Sequence, residues 1–213
     1  MVKLDTMRKE FSEKREDEFN LSADPFKVFE NWFKKAFVFY GEETNVFVLA
    51  TTKKDNTPSS RVVLLKGMEQ NKFIFFTNYG SDKAEELDYC PKASCNFYWP
   101  KIECQVRVLA LSKKLSSKQS QDYFKLRPRE AQLGAWASRQ SHPIESREEL
   151  LDAYDLYAKQ FKNQEVPCPE FWGGYELEPY SFEFWWGRSN RLHDRVRYTK
   201  KIDGRWELER LAP

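Results

Sequence analysis

The stretch 45–77, NVFVLATTKKDNTPSSRVVLLKGMEQNKFIFFT, decides the fold. β-Branched and aromatic residues are concentrated in three segments of it, 45–52, 59–66 and 72–77, which are predicted as strands. A turn at KKDNTP and a loop at GMEQN separate these segments. Connections this short favour antiparallel neighbours, because parallel strands need a crossover of roughly a dozen or more residues.

The strand pattern continues beyond this stretch. After a short helix predicted at DKAEELDY, two further strands are predicted at ASCNFYW and ECQVRVLAL. Closely spaced strands without the βαβ rhythm of a parallel sheet predict an antiparallel sheet that curls into a barrel. The fold class expected is mainly β with flanking helices, an α+β arrangement. The other predicted elements are an amphipathic helix in SADPFKVFENWFKKAFVFY, helices at 116–126, 129–138 and 146–162, and strands in FWGGYELEPYSFEFWWG, RVRYTK and RWELERL.

The first twenty residues differ from the rest, since they mix both charge signs with few apolar residues. Such a composition is typical of a solvated segment rather than of a core. We therefore expect a flexible N-terminal arm at 1–20 and a single domain at 21–213, a length that one domain can accommodate.

The composition argues against several classes of function. Lys and Arg number 35 and Asp and Glu 33, and a near-neutral chain is unusual for a protein that binds nucleic acid. No apolar run approaches the roughly 20 residues of a membrane span, so no membrane association is expected. The four cysteines and two histidines have neither CxxC nor zinc-finger spacing. We expect a cytoplasmic protein with reduced thiols, no metal and no disulfide.

An arginine-rich segment, RSNRLHDRVRY at 188–198, contains one of the chain's two histidines. If it is extended, Arg191, His193 and Arg195 lie on one face and Asp194 on the other. A face with this much positive charge suits an anionic ligand. The neighbouring cations disfavour imidazolium, so His193 is expected to stay largely neutral near neutral pH.

Two further motifs suit phosphate, although each also has an ordinary structural interpretation. Arg61 and Lys66 stand at opposite ends of an apolar strand, one at an odd and one at an even position. On a regular strand their side chains would point to opposite faces. Either both are surface cations, or at least one reaches a site from the rim. Thr77, Ser81 and Lys83 surround a glycine turn at a helix start, which either binds phosphate or only caps the helix.

Two other motifs place polar side chains on regular elements. In CQVRV, Gln105 and Arg107 share one face of a strand, and an amide facing a barrel interior needs hydrogen-bond partners that a heterocyclic ring could supply. In DYFKLRPRE, Tyr123 and Arg127 lie at positions i and i+4 of a predicted helix. They form either a phosphate clamp or an ordinary exposed pair.

These segments belong to a longer series of motifs that occur in one order: RVVLLKG, FFTN, QVRV, YF with RPRE, LGAW with SRQS, FWGG, RLHDR and ERLAP. In this combination the chain resembles the pyridoxine/pyridoxamine 5'-phosphate oxidase family along nearly its whole length. The resemblance implies an antiparallel, FMN-binding split β-barrel and a homodimer with flavin bound between the subunits. It also implies oxidation of pyridoxamine or pyridoxine 5'-phosphate to pyridoxal 5'-phosphate, with O2 as electron acceptor and H2O2 as product, in vitamin B6 salvage.

The resemblance also assigns roles to individual residues. Arg191 and His193 would lie over the pyridine ring as the candidate catalytic residues, with neither assigned as a base. The substrate would be bound by Lys66, Tyr123, Arg127, Arg191 and His193. The FMN contacts would come from Arg61, Val62, Val63, Leu64, Leu65, Lys66, Phe76, Thr77, Lys83, Gln105, Gln140, Ser141, Trp185 and Arg195.

Three positions depart from the pattern of the family. Asp82 stands where relatives usually have Arg, Ala131 where a serine usually helps bind the substrate phosphate, and Trp186 where glutamine usually follows Trp185. Asp82 replaces a phosphate-pairing cation with an anion, Ala131 removes a hydroxyl donor, and Trp186 is expected to add bulk near the ring. These changes leave an alternative open, a weakly active or inactive paralogue that binds FMN or pyridoxal 5'-phosphate as a carrier or sensor.

Overall fold

The computed structural model describes Glu10, Phe11 and residues 22–213. The predicted arm at 1–20 lies outside the described residues except for Glu10 and Phe11. The chain divides into two compact units, one formed by residues up to Leu49 with 94–110 and 179–213, the other by 50–93 and 111–178. These units are called unit 1 and unit 2 below. The expectation of one domain over 21–213 stays a prediction.

Five α-helices and nine strands form the described chain. The helices are α1 (Pro25–Tyr40), α2 (Asp82–Tyr89), α3 (Ser117–Lys125), α4 (Arg129–Ala137) and α5 (Arg147–Gln160). The strands are β1 (Val46–Thr52), β2 (Pro58–Leu64), β3 (Gly67–Glu69), β4 (Lys72–Asn78), β5 (Lys92–Trp99), β6 (Cys104–Lys114), β7 (Trp172–Trp186), β8 (Asp194–Lys200) and β9 (Trp206–Leu211).

The strands hydrogen-bond in the order β2-β1-β5-β6-β7-β4-β3, with β8 pairing both β7 and β9. The pairs β3–β4, β4–β7, β7–β8 and β8–β9 are antiparallel. The predicted fold class is confirmed, an antiparallel split barrel with flanking helices. None of the helices in the described part of the chain combines the length and the apolar character required to cross a bilayer.

In unit 1, helix α1 begins where the sequence predicts. The Asp24 side chain accepts a hydrogen bond from the Phe26 N–H, which satisfies one of the free donors of the first turn. The apolar face of α1 packs on alternate residues of β7, with Phe26 5.0 Å from Phe182 and Trp32 5.3 Å from Phe184 between ring centroids. Burial of such a ring contributes roughly 1.5–3 kcal/mol, so this contact holds α1 on β7.

In unit 2, the segment GMEQN is a tight hairpin, and its prediction as a loop is wrong. Gly67–Glu69 forms β3, and Met68 pairs with Phe73 across the turn. Gln70 and Asn71 have φ values of 49° and 61°, as the central residues of a type I′ turn require. The backbone twist of that turn matches the twist of the two strands.

Two glycines in β7 allow neighbouring side chains of unit 2 to pack directly against the strand backbone. A Cβ atom at Gly174 would lie 2.8 Å from the Phe76 ring, and one at Gly173 would overlap the Tyr79 hydroxyl. Tyr79 donates a hydrogen bond to the Gly174 carbonyl at 3.1 Å. The FWGG motif therefore fixes the ring of Phe76 on β4, which borders the cavity described next.

Candidate functional site

A cavity of about 510 Å³ lies in unit 2. Ten of the residues predicted for ligand binding line it: Val62, Val63, Leu64, Lys66, Phe76, Thr77, Lys83, Tyr123, Arg127 and Gln140. Six more residues complete the lining, namely Asn78, Ala131, Gly134, Ala135, Ser138 and Trp172. Of these six, only Ala131 was named individually from the sequence, as a departure from the family pattern, whereas the other five lie within the motifs FFTN, LGAW, SRQS and FWGG.

Lys83 forms the polar centre of one wall. The residue is 8% exposed, and its Nζ donates to Thr77 Oγ1 at 3.1 Å, Ser81 Oγ at 3.0 Å and Gln140 Oε1 at 3.2 Å. Burial, together with the nearby Arg61 guanidinium, lowers the pKa of Lys83 from its ordinary 10.5 to about 8. All three acceptors are neutral, so an anion in the cavity would stabilise the ammonium form.

Arg61 and Lys66 lie in different environments. The Arg61 Nη2 donates to Glu86 Oε2 at 2.8 Å and to Ser59 Oγ at 2.6 Å, and Nη1 donates to Thr51. This ion pair, in which Glu86 is buried and Arg61 partly buried, holds Arg61 outside the cavity lining. Sequence reasoning missed Glu86 because α2 and β2 are distant along the chain.

Strand β2 ends at Leu64, so the alternation of a regular strand does not extend to Lys66. Leu65 is buried in the core, and the Lys66 backbone N–H donates to the Ile74 carbonyl at 2.7 Å. The Lys66 side chain lines the cavity. Lys66 therefore reaches the cavity from beyond the end of the strand, and its role in binding a ligand stays a prediction.

Arg127 carries the least satisfied polar group of the cavity. Its guanidinium lies 4.6 Å over the Trp172 ring and 5.5 Å from Phe124, and its Nη1 is buried without a hydrogen-bond partner among the described residues. Burial lowers the pKa of Arg127 from its ordinary value. A buried N–H without an acceptor is costly, and an anionic oxygen in the cavity would remove that cost.

Tyr123 and Arg127 both line the cavity, but their predicted placement on one helical face is wrong. Helix α3 ends at Lys125, and the Arg127 N–H donates to the Phe124 carbonyl at 3.1 Å just beyond it. Tyr123 stacks on Phe76 with ring centroids 3.8 Å apart, and Phe76 stacks on Trp172 at 5.4 Å. The FWGG motif could have pointed to Trp172 as a ligand-facing ring.

Unit 1 contains a second polar cluster, centred on the buried carboxylate of Glu183 on β7. Its Oε1 accepts from Arg195 Nε at 3.1 Å and Nη2 at 3.0 Å, and its Oε2 accepts from Arg107. Arg195 Nη1 also donates to the Ala212 carbonyl at 2.8 Å. Sequence reasoning missed Glu183, because nothing in the local pattern FEFWW identifies a carboxylate shared by two arginines.

Buried and more exposed residues alternate along CQVRV in β6 as predicted, but the Gln105 side chain does not point into the barrel interior. Gln105 is half-buried and Arg107 exposed, whereas Cys104, Val106 and Val108 are buried in the core. The expectation that Gln105 faces a barrel interior is therefore wrong, because the apolar residues of the strand occupy that face.

The segment 188–198 is only partly extended. Residues 189–191 form a 3₁₀ turn in which Asn190 and Arg191 have φ values of 53° and 61°, and β8 begins at Asp194. The expectation that Arg191, His193 and Arg195 share one strand face is wrong, because the first two precede the strand. The His193 ring lies 4.7 Å from Trp185 and 5.2 Å from Phe11 between centroids.

The remaining predicted positions are more peripheral. Ser141 is exposed with a φ of 69° and does not line the cavity in unit 2. Asp82 is exposed and borders a different depression, together with Lys53 and Lys54. The expectation that Trp186 adds bulk near a bound ring does not fit its position, since it is 5% exposed and packs on Trp32 at 5.9 Å.

The antiparallel split barrel and the cavity lined by the three cationic side chains Lys66, Lys83 and Arg127 define a split-barrel protein. Residues 33–159 match the sequence profile of the pyridoxamine 5'-phosphate oxidase family, and residues 172–213 match that of the pyridoxine 5'-phosphate oxidase C-terminal dimerisation region. The chain belongs to the pyridoxamine 5'-phosphate oxidase family.

Individual relatives agree with this assignment. The chain is 44% identical to the pyridoxine/pyridoxamine 5'-phosphate oxidase of Rubrobacter xylanophilus over 97% of this chain and 95% of the relative. It is 42% identical to that of Alteromonas mediterranea over 99% of each. Among solved structures, PhzG from Burkholderia lata in complex with tetrahydrophenazine-1-carboxylic acid matches with a TM-score of 0.85 and 28% identity, over 91% of this chain and 95% of that one.

Proposed function

We propose that the protein oxidises pyridoxamine 5'-phosphate and pyridoxine 5'-phosphate to pyridoxal 5'-phosphate, with FMN as cofactor and O2 as electron acceptor. Relatives of 42–44% identity over nearly the whole chain are named for this activity. The observation that carries the proposal is the buried Arg127 Nη1, which has no hydrogen-bond partner among the described residues and belongs to a side chain that lines the cavity.

The substrate phosphate is assigned to Lys66, Tyr123 and Arg127. All three side chains line the cavity in unit 2. Tyr123 stacks on Phe76, and Arg127 lies over Trp172, which stacks on the same Phe76 ring. Charge-assisted hydrogen bonds to a phosphate contribute roughly 1.5–3 kcal/mol each, so this group can supply most of the affinity for a phosphorylated substrate. Ala131 in the same lining offers no hydroxyl, which leaves fewer donors than the family pattern provides.

The FMN phosphate is assigned to Lys83 and the polar groups around it. Among the described residues, the hydrogen-bond acceptors of the buried ammonium are the neutral oxygens of Thr77, Ser81 and Gln140, which fits a site that is completed by an anion. Val62, Val63 and Leu64 of β2 line the adjoining wall. FMN, when bound, supplies the acceptor for the hydride that leaves the C4' carbon of the substrate and passes the electrons to oxygen.

The chain's own residues then have three tasks: to hold both phosphates, to fix the orientation of the substrate ring and to exclude water. Trp185 and Arg195 are assigned to the flavin, and Arg191 and His193 to the pyridine ring. Burial and the nearby Arg191 guanidinium lower the pKa of His193 below its ordinary value, which favours the neutral ring. Fixed groups of this kind contribute by orientation rather than by proton transfer.

We also propose a homodimer in which residues of both protomers contact each flavin. The match of residues 172–213 to a dimerisation region supports this proposal. Exposed apolar side chains add further support, since Val62 is 63% and Leu64 42% exposed in unit 2, and Leu109 is 41% exposed in unit 1. Sedimentation at micromolar concentration should show a dimer, and a fully active monomer would contradict the proposal.

The test of the activity is an aerobic assay of the purified protein with pyridoxamine 5'-phosphate and added FMN, reading aldehyde and peroxide. We expect both products in equal amounts and a yellow protein with a bound-flavin spectrum. A yellow protein without turnover would instead favour the paralogue that binds FMN or pyridoxal 5'-phosphate as a carrier or sensor. A cytoplasmic location, which we also propose, agrees with four cysteines that form no disulfide.

A further inference from the structure

The turn that carries His193 is closed by two links between its ends. The Arg188 backbone N–H donates to His193 Nδ1 at 3.0 Å. The Arg188 side chain donates through Nε to Asp194 Oδ2 at 2.6 Å, and its guanidinium lies 4.8 Å over the Trp186 ring. Inside the turn, the Leu192 N–H donates to the Ser189 carbonyl at 3.1 Å.

The first of these links decides where the imidazole carries its proton. A backbone N–H can only donate, so His193 Nδ1 must accept, and an accepting ring nitrogen carries no hydrogen. Imidazolium and the tautomer protonated at Nδ1 are both incompatible with this hydrogen bond. The ring is therefore neutral with its hydrogen on Nε2, and Nε2 has no partner among the residues that the structure describes.

We propose that Arg188 is a positioning residue that fixes His193 as a neutral imidazole whose Nε2–H donates a hydrogen bond to the substrate. The inference rests on the proposed function for the identity of the ligand, and on the geometry of the turn for the tautomer. A nitrogen that already carries hydrogen cannot take another proton, so His193 does not act as a general base through Nε2. Its role is to orient an acceptor atom of the substrate ring.

The side chain of Arg188 is what holds the donor in place. The turn contains two consecutive residues in the left-handed region, Asn190 and Arg191, a conformation that non-glycine residues adopt at a cost. The ion pair with Asp194 and the contact with Trp186 offset that cost and keep position 188 next to position 193. Without them, the N–H of residue 188 is free to move away from Nδ1 and the tautomer is no longer fixed.

The direct test is nitrogen NMR of the full-length protein labelled with ¹⁵N-histidine, with and without FMN. The chain has two histidines, and His193→Gln identifies the His193 signals by their loss. Near neutral pH we expect one protonated nitrogen, Nε2, and an unprotonated Nδ1 that accepts a hydrogen bond. A proton on Nδ1, or a doubly protonated ring, overturns the proposal. This spectrum does not depend on turnover, so a wild-type protein without oxidase activity would refute the proposed function and leave the tautomer result intact.

Kinetics test the positioning role. Arg188→Ala and Asp194→Asn should each mix the two tautomers in the spectrum and lower kcat roughly three- to tenfold, with little change in the FMN dissociation constant. Arg205→Ala is the matched control, because Arg205 also pairs with an aspartate, Asp203, but in the exposed β8–β9 turn, and it should leave kcat and the His193 spectrum unchanged. If Arg188→Ala retains both the single tautomer and the wild-type kcat, Arg188 does not position His193.

Discussion

We predict that the affinity for FMN depends on pH through Lys83, to which the FMN phosphate is assigned in the proposed function. The ammonium is 8% exposed, and its pKa is lowered to about 8, first by burial and then by Arg61. A phosphate in the cavity favours the charged form and raises this pKa on binding. FMN therefore binds best while Lys83 is protonated, and above its pKa in the free protein each binding event must also take up a proton.

The magnitude follows from the fraction of protonated Lys83. With a free-protein pKa of about 8, this fraction falls about tenfold between pH 7 and pH 9, so the FMN dissociation constant should rise about tenfold. The ligand phosphate contributes little to the change between pH 7 and pH 9, because its second pKa lies near 6. The stability of the ligand-free protein changes in the opposite direction. Its free energy of unfolding rises from pH 8 toward 10.5, since there the unfolded chain binds more protons at Lys83.

In the assay, FMN is titrated into the ligand-free protein at constant ionic strength, and binding is followed by the fluorescence of FMN. Lys83→Arg is the matched control, because a guanidinium stays protonated throughout and should abolish the pH dependence. Riboflavin, which lacks the phosphate, should bind with no comparable change. The reasoning fails if wild-type affinity is flat between pH 7 and pH 9, or if Lys83→Arg shows the same tenfold loss.

Three substitutions test two residues of the cavity lining, Arg127 and Ala131, and Asp82, which lies outside it. Arg127→Met should raise KM for pyridoxamine 5'-phosphate roughly ten- to hundredfold, while the melting temperature of the ligand-free protein stays within about 2 °C, because Nη1 has no partner to lose. Ala131→Ser should lower the same KM about two- to tenfold by adding a hydroxyl donor to the lining, and an unchanged KM would place the phosphate elsewhere. Asp82→Asn should change the FMN dissociation constant less than about threefold, since the carboxylate is exposed and screened, and a larger gain would mean that Asp82 opposes the phosphate.

Much of the fold could be predicted because the pattern of residues within a short segment determines most of its strands and helices. The alternation of β6 buries Cys104, Val106 and Val108, and the helix at DKAEELDY begins and ends where the sequence predicts. The hairpin at GMEQN was missed, because its strand is only three residues long and its turn lacks the glycine that usually marks type I′. The paired carboxylates Glu86 and Glu183 were missed for a different reason, since their partners lie on other strands: Arg61 for Glu86, and Arg107 and Arg195 for Glu183.

Ten residues named from the sequence line one cavity, but the orientations of Lys66, Arg127 and His193 were not predicted, and the binding roles stay predictions. Lys66, Arg127 and His193 each lie one or two residues outside a regular element, where the periods of strand and helix no longer specify direction. At each place local hydrogen bonds replace the regular pattern, among them Lys66 N–H to the Ile74 carbonyl, Arg127 N–H to the Phe124 carbonyl, and Arg188 N–H to His193 Nδ1. Backbone outside a strand or helix can direct a side chain where a regular face would not, as it directs Lys66 and Arg127 toward the cavity. Spacing therefore could not predict these directions, whereas the motifs RVVLLKG, RPRE and RLHDR contain all three residues.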